Sequence, residues 1–175
     1  MVAVLVIVAA LVAVILLYAA SRPESCEFSR SIHIAAPPEK IFPFIDNPRA
    51  MNEWNPFTRA DPNISLAYSG PDRGVGAAND FSGNGQVGAG RAEIVESLAP
   101  SKVAIALTMT RPMRCRNHVV FTLAPQDGGA RVTWAMSGRR PFIGKLMSLV
   151  VNMEKMVGDA FDKGLAELKA LAEAA

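Results

Sequence analysis

The final stretch of the chain, residues 141–175, restricts the possible folds more than any other feature. Apolar side chains recur there every three or four residues, which puts them on one face of a helix. Pro141 suits the first helical turn, where its missing N–H causes no loss. We therefore predict one continuous helix, roughly 45 to 50 Å long at a rise of about 1.5 Å per residue. Its apolar stripe, which another apolar surface must cover, comprises Leu146, Leu149, Val150, Met153, Met156, Val157, Ala160, Phe161, Leu165, Leu168 and Leu171.

The two halves of this predicted helix differ in their polar faces. In the second half Asp159, Asp162 and Lys163 point away from the stripe, which is typical of a helix that packs on a core. In the first half Met147 and Val151 lie outside the stripe. We predict that residues 142–156 form a cavity wall or gate. Exposure of Met147 and Val151 would instead indicate a membrane or partner contact, and burial under a loop would remove the main support for a gate.

Length and charge limit the classes of function. The 175 residues suffice for one domain with a substantial core. The formal net charge of +2 is spread without a basic block, so no nucleic-acid partner is predicted. Cys26 and Cys115 lack the spacing of a disulfide framework or a zinc site, and we predict no metal and no cofactor. The sequence does not indicate an oligomeric state.

An uncharged apolar run, Val2 to Ala20, is long enough to cross a hydrocarbon core of about 30 Å as a helix. No Lys or Arg precedes it, it exceeds a normal signal-peptide core, and Tyr18 fits poorly before a cleavage site. These features favour an uncleaved anchor over a signal peptide. Arg22 and Arg30 follow the run, and this mildly favours a single-pass membrane protein with a cytoplasmic domain.

Residues 1–20 are thus predicted to be a transmembrane anchor, residues 21–27 a polar linker, and residues 28–175 one domain. The domain begins with alternating apolar and polar residues, 28–35, typical of a strand. Two short helices follow, the first interrupted at Pro43 and the second beginning at Asn47-Pro48.

Six further alternating segments, separated by Gly, Pro, Asn and Asp turns, run from about residue 64 to residue 140. The predicted order is therefore strand, two helices, six strands and a long helix. This order predicts an α+β fold, in which the final helix covers the apolar face of a curved antiparallel sheet of about seven strands.

Several motifs in this order resemble one known group of proteins. They are SIHIAAPPEKIFPFIDN, MNEWNPF, GPDRGVGAANDFSGNGQVGAGRAEIVE, RVTWAMSG and MVGDAFDKGLAELKAL. The chain resembles the polyketide cyclase/dehydrase branch of the SRPBCC (START-related, helix-grip) superfamily, in particular members with one N-terminal membrane helix. The resemblance implies a hydrophobic cavity between sheet and final helix for lipids, sterols, polyketides or other apolar molecules, and no shared catalytic set. Phe81 stands where the branch leads us to expect Trp.

Gly83, Gly85 and Gly88 match the G-x-G-x-x-G pattern of dinucleotide-binding folds. The residues that follow alternate as in a strand, whereas that motif requires a helix. We interpret the segment as a glycine-rich hairpin, whose glycines either bend the sheet or leave room for a ligand.

Ionisable side chains are the weak candidates for catalysis. Cys115 and His118, three residues apart on a strand, point to opposite faces and cannot pair without a bulge. General acid–base chemistry would need an ionisable group inside the cavity. The candidates are Asp80, Glu93, His118 and Arg91.

Basic side chains are densest in two places. Arg111, Arg114 and Arg116 form one group, and Arg139, Arg140 and Lys145 form the other. They are interpreted either as exposed strand ends or as contacts to anionic lipid headgroups.

Three functions remain open at this stage. The first is a membrane-anchored domain that binds an apolar small molecule or lipid; the second is a cyclase, dehydratase or hydrolase that uses the same cavity; the third is a protein-interaction module similar to the co-chaperone members of the superfamily. The predicted cavity lining comprises Trp54, Tyr68, Phe81, Met109, Phe121, Trp134, Met136, Leu146, Val150 and Met153.

Overall fold

One seven-stranded antiparallel sheet organises the computed structural model, which describes residues 1–139, 142–149 and 152–175. Its spatial order is β1-β7-β6-β5-β4-β3-β2. The strands are β1 Ser25–Ile34, β2 Ser65–Ser69, β3 Ala78–Ser82, β4 Ala89–Leu98, β5 Lys102–Arg111, β6 Cys115–Gln126 and β7 Gly129–Arg139. The helices are α1 Val2–Ser21, α2 Pro38–Ile41, α3 Pro48–Trp54, α4 Pro56–Arg59, α5 Phe142–Met147 and α6 Met153–Ala174, with a 3₁₀ turn at Phe42–Phe44. The predicted α+β, helix-grip architecture is confirmed.

Alternation along each strand separates the two faces of the sheet. In β5, Val103, Ile105 and Leu107 point to the concave side, because successive side chains of a strand point to opposite faces. Register shifts between β4 and β5 occur at Ala89/Gly90 and at Ile94/Glu96. Irregularities of this kind bend a strand and increase its twist, so they help the sheet to curve.

The short helices α3 and α4 close one side of the sheet, and their starts are encoded locally. Each has proline at its first position, and each is preceded by a capping asparagine. The Asn47 side chain accepts from the Arg49 backbone N–H at 2.8 Å, and the Asn55 side chain accepts from the Phe57 backbone N–H at 3.1 Å. These caps fix where Trp54 and Phe57 lie against the concave face.

The C-terminal stretch forms two helices, so the prediction of one continuous helix was wrong. The Ser148 hydroxyl donates to the Lys145 carbonyl at 2.6 Å, and residues 148–149 form a turn after α5. The Asn152 side chain then caps α6 by accepting from the Lys155 backbone N–H at 3.0 Å. Local side-chain bonds therefore compete with helix continuation here. Parts of the predictions rested on residues that lie outside the described ones: Arg140, Pro141, Val150 and Val151.

Helix α6 packs on the sheet through a narrow face. Its buried apolar residues are Val157, Phe161, Leu165, Leu168 and Ala172. Met156, which the sequence placed in the apolar stripe, is instead 53% exposed. The buried contacts of Val157 and Phe161 fix the rotation of α6 about its axis, and this rotation puts Met156 outside the buried face.

Helix α1 is long and apolar enough to cross a membrane by length and composition. Only residues 22–24 separate it from β1, which begins three residues earlier than predicted. The end of α1 contacts α5, where the Lys145 ammonium lies 3.5 Å from the Ala20 carbonyl oxygen. The domain is therefore held close to this helix.

A glycine in α6 provides a test of the helix-to-sheet packing. A Cβ atom at Gly164 would lie 2.8 Å from Pro56 Cδ and 2.8 Å from Trp134 Cζ3, both parts of rigid rings. Alanine normally stabilises a helix by about 1 kcal/mol relative to glycine. We expect Gly164→Ala to have the opposite sign and to destabilise the protein by about 1 to 3 kcal/mol, because the core is overpacked.

Gly158→Ala is the matched control for this prediction. The three heavy atoms nearest to a Cβ atom there all belong to the Arg30 guanidinium, which can rotate away, so we expect unchanged stability or a gain of up to about 1 kcal/mol. Denaturant midpoints of both variants, measured by circular dichroism, test the pair. An equal gain in both variants would show that α6 is free to move off the Pro56 and Trp134 rings.

Candidate ligand-binding cavity

A cavity of about 280 Å³ lies between the concave face of the sheet, the short helices and α6. Side chains from five strands form its floor, and α3, α4 and α6 form its roof. The floor residues are Asn79, Phe81, Ala92, Ile105, Leu107, Met109, Asn117, Val119, Phe121, Trp134 and Met136. The roof residues are Met51, Asn52, Trp54, Asn55, Phe57, Thr58, Val157 and Phe161, with Ile64, Gln86 and Val87 from loops.

Four floor residues form one row across the sheet. Asn117 on β6 pairs with Leu107 on β5, Leu107 pairs with Ala92 on β4, and Ala92 pairs with Asn79 on β3. Three interstrand spacings of about 4.8 Å put the two asparagines roughly 14 Å apart along the sheet. The row therefore presents an aliphatic centre with a carboxamide at each end.

The carboxamides of this row have unused hydrogen-bonding capacity. Asn79 is only 7% exposed, and its side chain has no hydrogen-bond partner among the residues that the structure describes. Asn117 donates only to the Cys115 sulfur, at 3.9 Å. Buried amides are normally satisfied, and each carries two donors and an acceptor. These two groups are therefore available to a bound molecule.

The polar side chains that α3 and α4 contribute to the roof already make hydrogen bonds within the protein. The Asn52 amide donates to the Tyr68 hydroxyl at 3.1 Å and accepts from the Thr58 hydroxyl at 2.9 Å. Asn55 uses its side-chain oxygen to cap α4. The polar groups of the roof thus hold the short helices together. The two asparagines of the floor face the cavity and make few hydrogen bonds within the protein.

Aromatic rings form the deepest part of the wall. Trp134 stacks on Phe161 with ring centroids 4.1 Å apart, and Trp54 meets Trp134 edge-on at 5.6 Å. The Trp54 indole N–H donates to the Phe44 carbonyl at 2.9 Å. Within the described chain, the Trp134 indole nitrogen is the one side-chain polar atom that is fully shut off from solvent and has no partner, whereas the Asn79 amide retains access to the cavity. The rings of Trp54, Phe57, Phe121 and Phe161 surround the Trp134 ring, so this end of the cavity is mainly apolar.

The structure distributes the residues predicted to line the cavity over three groups. Tyr68 is on the edge strand β2, where its ring is covered by Arg49 at 4.1 Å, and it does not reach the wall. Leu146 belongs to α5, and Met153 packs on the core from the first turn of α6, both away from the cavity. Val150 lies outside the described residues. At the wall are Trp54, Phe81, Met109, Phe121, Trp134 and Met136.

Sequence reasoning did not name Asn79, Ala92 or Asn117 as cavity-lining residues. The period of two along β6 does place Asn117 on the inward face with Val119 and Phe121, so the signal was present. What the pattern lacks is the pairing of strands, which brings Asn117, Ala92 and Asn79 into one row.

The four candidate catalytic residues lie on the convex, solvent side of the sheet. Arg91 binds Asp80 at 2.8 Å and Glu93 at 3.2 Å, and these bonds, that to Glu93 foremost, raise the pKa of the guanidinium. Arg91 and Glu93 flank the inward Ala92, and exposed His118 follows Asn117, so alternation turns them outward. Among the described residues, no Asp, Glu, His, Lys or Arg lines the cavity.

Cys115 opens β6 and is half-buried. Burial raises the pKa of its thiol, and the hydrogen bond from Asn117 offsets this only in part. The thiol is therefore protonated at neutral pH and a poor nucleophile. No group of three or more His, Cys, Asp or Glu side chains that could hold a metal ion occurs in the described part of the chain.

The glycine-rich segment forms the rim of the cavity. Gly88 has φ of +74°, and a Cβ atom there would overlap the Arg111 carbonyl oxygen. Strand β4 follows it, as the hairpin interpretation requires. The Asn84 backbone N–H donates to the Asp61 carboxylate at 2.7 Å, and this bond helps to fix the loop that presents Gln86 and Val87 to the cavity.

Comparisons with known proteins agree with this architecture. A family model described as "Polyketide cyclase / dehydrase and lipid transport" matches residues 25–173. Protein CV1439 from Chromobacterium violaceum is similar in structure, with a TM-score of 0.60 and 18% identity over 87% of this chain and 99% of that one. The Aha1 dimer from Colwellia psychrerythraea has a TM-score of 0.60 and 18% identity, covering 85% of this chain and 96% of its own.

The di-domain ARO/CYC StfQ from the steffimycin biosynthetic pathway is similar over 86% of this chain and 51% of its own length. Its TM-score is 0.63 and its identity 12%. Likenesses at these identities establish the fold alone. A comparison with curated proteins gives no match.

Proposed function

This chain belongs to the polyketide cyclase/dehydrase and lipid transport family, and on that premise we propose that it binds an apolar small molecule or lipid in its cavity while anchored to a membrane. The observation that carries the proposal is the partly open, mostly apolar cavity floored by a row of side chains with an unpartnered carboxamide, Asn79. A well-formed apolar pocket with a few convergent polar groups is the usual form of a small-molecule site.

The size and polarity of the cavity narrow the ligand class. At about 280 Å³ the cavity accepts one small molecule or part of one lipid chain. Its aliphatic centre between Asn79 and Asn117 suits an elongated apolar body, and the carboxamides suit hydroxyl, carbonyl or ester groups. Ionised ligand groups are disfavoured, since the described lining offers them no opposite charge and their desolvation is costly.

Burial of apolar surface supplies the affinity in this proposal. Each 100 Å² of ligand surface removed from water contributes about 2.5 kcal/mol before ordering costs. The wall of aromatic and aliphatic side chains provides this contact, and Asn79 and Asn117 fix the orientation of the ligand.

Binding is favoured over catalysis by the same lining. A cyclase or dehydratase that uses general acid–base chemistry needs a titratable group within hydrogen-bond reach of its substrate. Asp80, Arg91, Glu93 and His118 are separated from the cavity by the sheet itself. The wall contains neutral amides and a hydroxyl in their place.

Membrane attachment through residues 2–20 is part of the proposal. Helix α1 supports it by its length and composition, and the Arg22 guanidinium lies 5.0 Å from the centre of the Tyr18 ring, an arrangement that suits the membrane interface. The basic residues Arg22 and Arg30 after the span support a cytoplasmic domain as part of the proposal. The short connection of residues 22–24 would then hold the cavity near the lipid surface from which an apolar ligand could come.

The proposal is tested by the contents of the purified full chain. We expect organic extraction and mass spectrometry to recover a neutral apolar molecule at a substantial fraction of one per chain, and native mass spectrometry to show the same added mass. A chain that carries no such molecule and takes up none from a mixture of neutral lipids would contradict ligand binding. Loss of the chain from membranes during an alkaline wash would contradict the anchor separately.

A further inference from the structure

A second depression, of about 560 Å³, lies where α1 meets the domain. It is separate from the cavity between sheet and α6, since the two share no lining residue among those described. The end of α1, the start of β6, the end of β7 and α5 each contribute to its wall. We call it the junction site, and its lining is Ala20, Glu24, Arg114, Cys115, Arg116, Arg139, Phe142 and Lys145.

The junction site carries an excess of positive charge. Glu24 is the carboxylate of its wall, 3.1 Å from the Arg139 guanidinium and 3.9 Å from the Lys145 ammonium. Arg114 and Arg116 have no carboxylate within 4.0 Å in the described part of the chain, and both side chains are exposed. In the described lining, four cations thus face one anion.

Lys145 is the unusual member of this group. Its side chain is only 8% exposed, and its nearest partners are distant, the Ala20 carbonyl oxygen at 3.5 Å and the Glu24 carboxylate at 3.9 Å. Lysine is almost never this buried without a close partner. The ammonium therefore has donors left for an anion that enters the depression.

The surroundings of the junction site indicate where such an anion would come from. Phe142, Ile143 and Met147 of α5 are each about half exposed, at 47%, 58% and 50%. They lie beside the end of α1, where Tyr18 and Arg22 mark the interface if α1 spans a membrane. A short helix with exposed apolar residues next to basic groups is suited to lie at a lipid surface. The exposure of Met147 agrees with the membrane-contact alternative stated for this segment.

We propose that the junction site binds the phosphate of an anionic phospholipid headgroup. The inference rests on the membrane attachment proposed above and is independent of the cavity ligand. The planar guanidinium groups of Arg114 and Arg116 can each donate two hydrogen bonds to phosphate oxygens, and the ammonium of Lys145 supplies a buried positive charge. The apolar residues of α5 insert beside the acyl chains of the same lipid. The bound headgroup fixes the domain on the bilayer.

The test uses the full chain in nanodiscs of phosphatidylcholine with phosphatidylglycerol, and counts the lipids retained on the protein by native mass spectrometry. We expect phosphatidylglycerol to be retained in preference to phosphatidylcholine. The triple variant Arg114→Gln/Arg116→Gln/Lys145→Gln should reduce this preference roughly tenfold to a hundredfold, given three lost cations near an anionic surface. The double variant Arg114→Gln/Arg116→Gln changes only exposed side chains, so it gives a readable result even if the substitution of the buried Lys145 impairs folding.

The matched control removes three exposed cations elsewhere, as Lys40→Gln/Arg73→Gln/Lys163→Gln, and should retain phosphatidylglycerol like the unaltered chain.

A second arm adds inorganic phosphate to phosphatidylcholine nanodiscs. Uptake of inorganic phosphate without preference for phosphatidylglycerol would overturn the lipid assignment. Equal retention in the junction and control variants would overturn the site. Lipid retention is scored only on chains that resist an alkaline wash, so failure of the anchor is recognised separately. The neutral lipid detected in the same spectra reports the contents of the cavity.

Discussion

Replacing Ala92 with phenylalanine is expected to weaken ligand uptake strongly while leaving the fold intact. Ala92 stands at the centre of the row that runs from Asn117 to Asn79, and its small side chain leaves the middle of the cavity open. A benzyl group there would point into the space itself. If it removes about 80 Å² of ligand contact, the affinity falls by roughly 2 kcal/mol, or about 30-fold.

The measurement can use the chain's own fluorescence. Both tryptophans of the chain, Trp54 and Trp134, lie at the cavity wall, so energy transfer to the neutral probe N-phenyl-1-naphthylamine reports a bound probe. The signal from the full chain in detergent should fall in Ala92→Phe, and the extracted ligand should fall with it.

Ala106→Phe is the matched control for this experiment. Ala106 lies on the neighbouring strand β5 opposite Glu93, on the convex face, so the same added ring meets solvent and not the cavity. We expect probe uptake in Ala106→Phe to equal that of the unaltered chain. Equal uptake in Ala92→Phe as well would mean that the ligand does not occupy this cavity.

Replacing Trp54 with alanine is expected to cause the largest loss of stability, about 3 to 5 kcal/mol. The side chain is fully buried, and its ring meets Phe121 and Trp134 edge-on at 5.8 and 5.6 Å. Its indole N–H also holds the Phe44 carbonyl at 2.9 Å, which ties α3 to the preceding turn. Alanine would remove these contacts at once and leave a space that the rigid sheet cannot fill.

Two further variants separate the contributions to this loss. Trp54→Phe keeps most of the packing but leaves the Phe44 carbonyl without its donor, at a cost of about 1 to 3 kcal/mol. Phe57→Ala removes a cavity-lining ring that is 40% exposed, and should cost less than Trp54→Ala. Guanidinium unfolding followed by far-ultraviolet circular dichroism measures all three. A loss below about 1 kcal/mol for Trp54→Ala would show that α3 is not part of the cooperative core.

Much of the fold follows from local pattern. The alternation of Val103, Ile105 and Leu107 with smaller residues predicts a strand with one buried face, and the structure has that face on the core. Proline and asparagine pairs predict where α3 and α4 begin, because a fixed φ and a side-chain cap act within three residues. The family motifs added the helix-grip topology, which the structure confirms.

The candidate site was predicted less completely, and the misses share one cause. Large aromatic residues such as Trp134 and Phe121 were named because their size alone favours the core. Asn79 and Ala92 were not named, because nothing local distinguishes a polar or small residue that faces a cavity from one that faces solvent. Leu146 and Met153 were named from a helix that the structure interrupts between α5 and α6.

The sequence by itself determined which side of each strand is apolar, where the short helices begin, and that one segment is apolar enough to cross a membrane. These properties depend on residues within a few positions of one another, so the spacing of apolar side chains along the chain predicts them. Only the tertiary structure decided the row from Asn117 to Asn79, the break before α6 and the gathering of Arg114, Arg116, Arg139 and Lys145 beside α1. The row depends on the register of four strands, and the basic group depends on contacts between separate segments of the chain, neither of which a local pattern records. The break rests on the side-chain hydrogen bonds of Ser148 and Asn152, which the period of the apolar residues does not record.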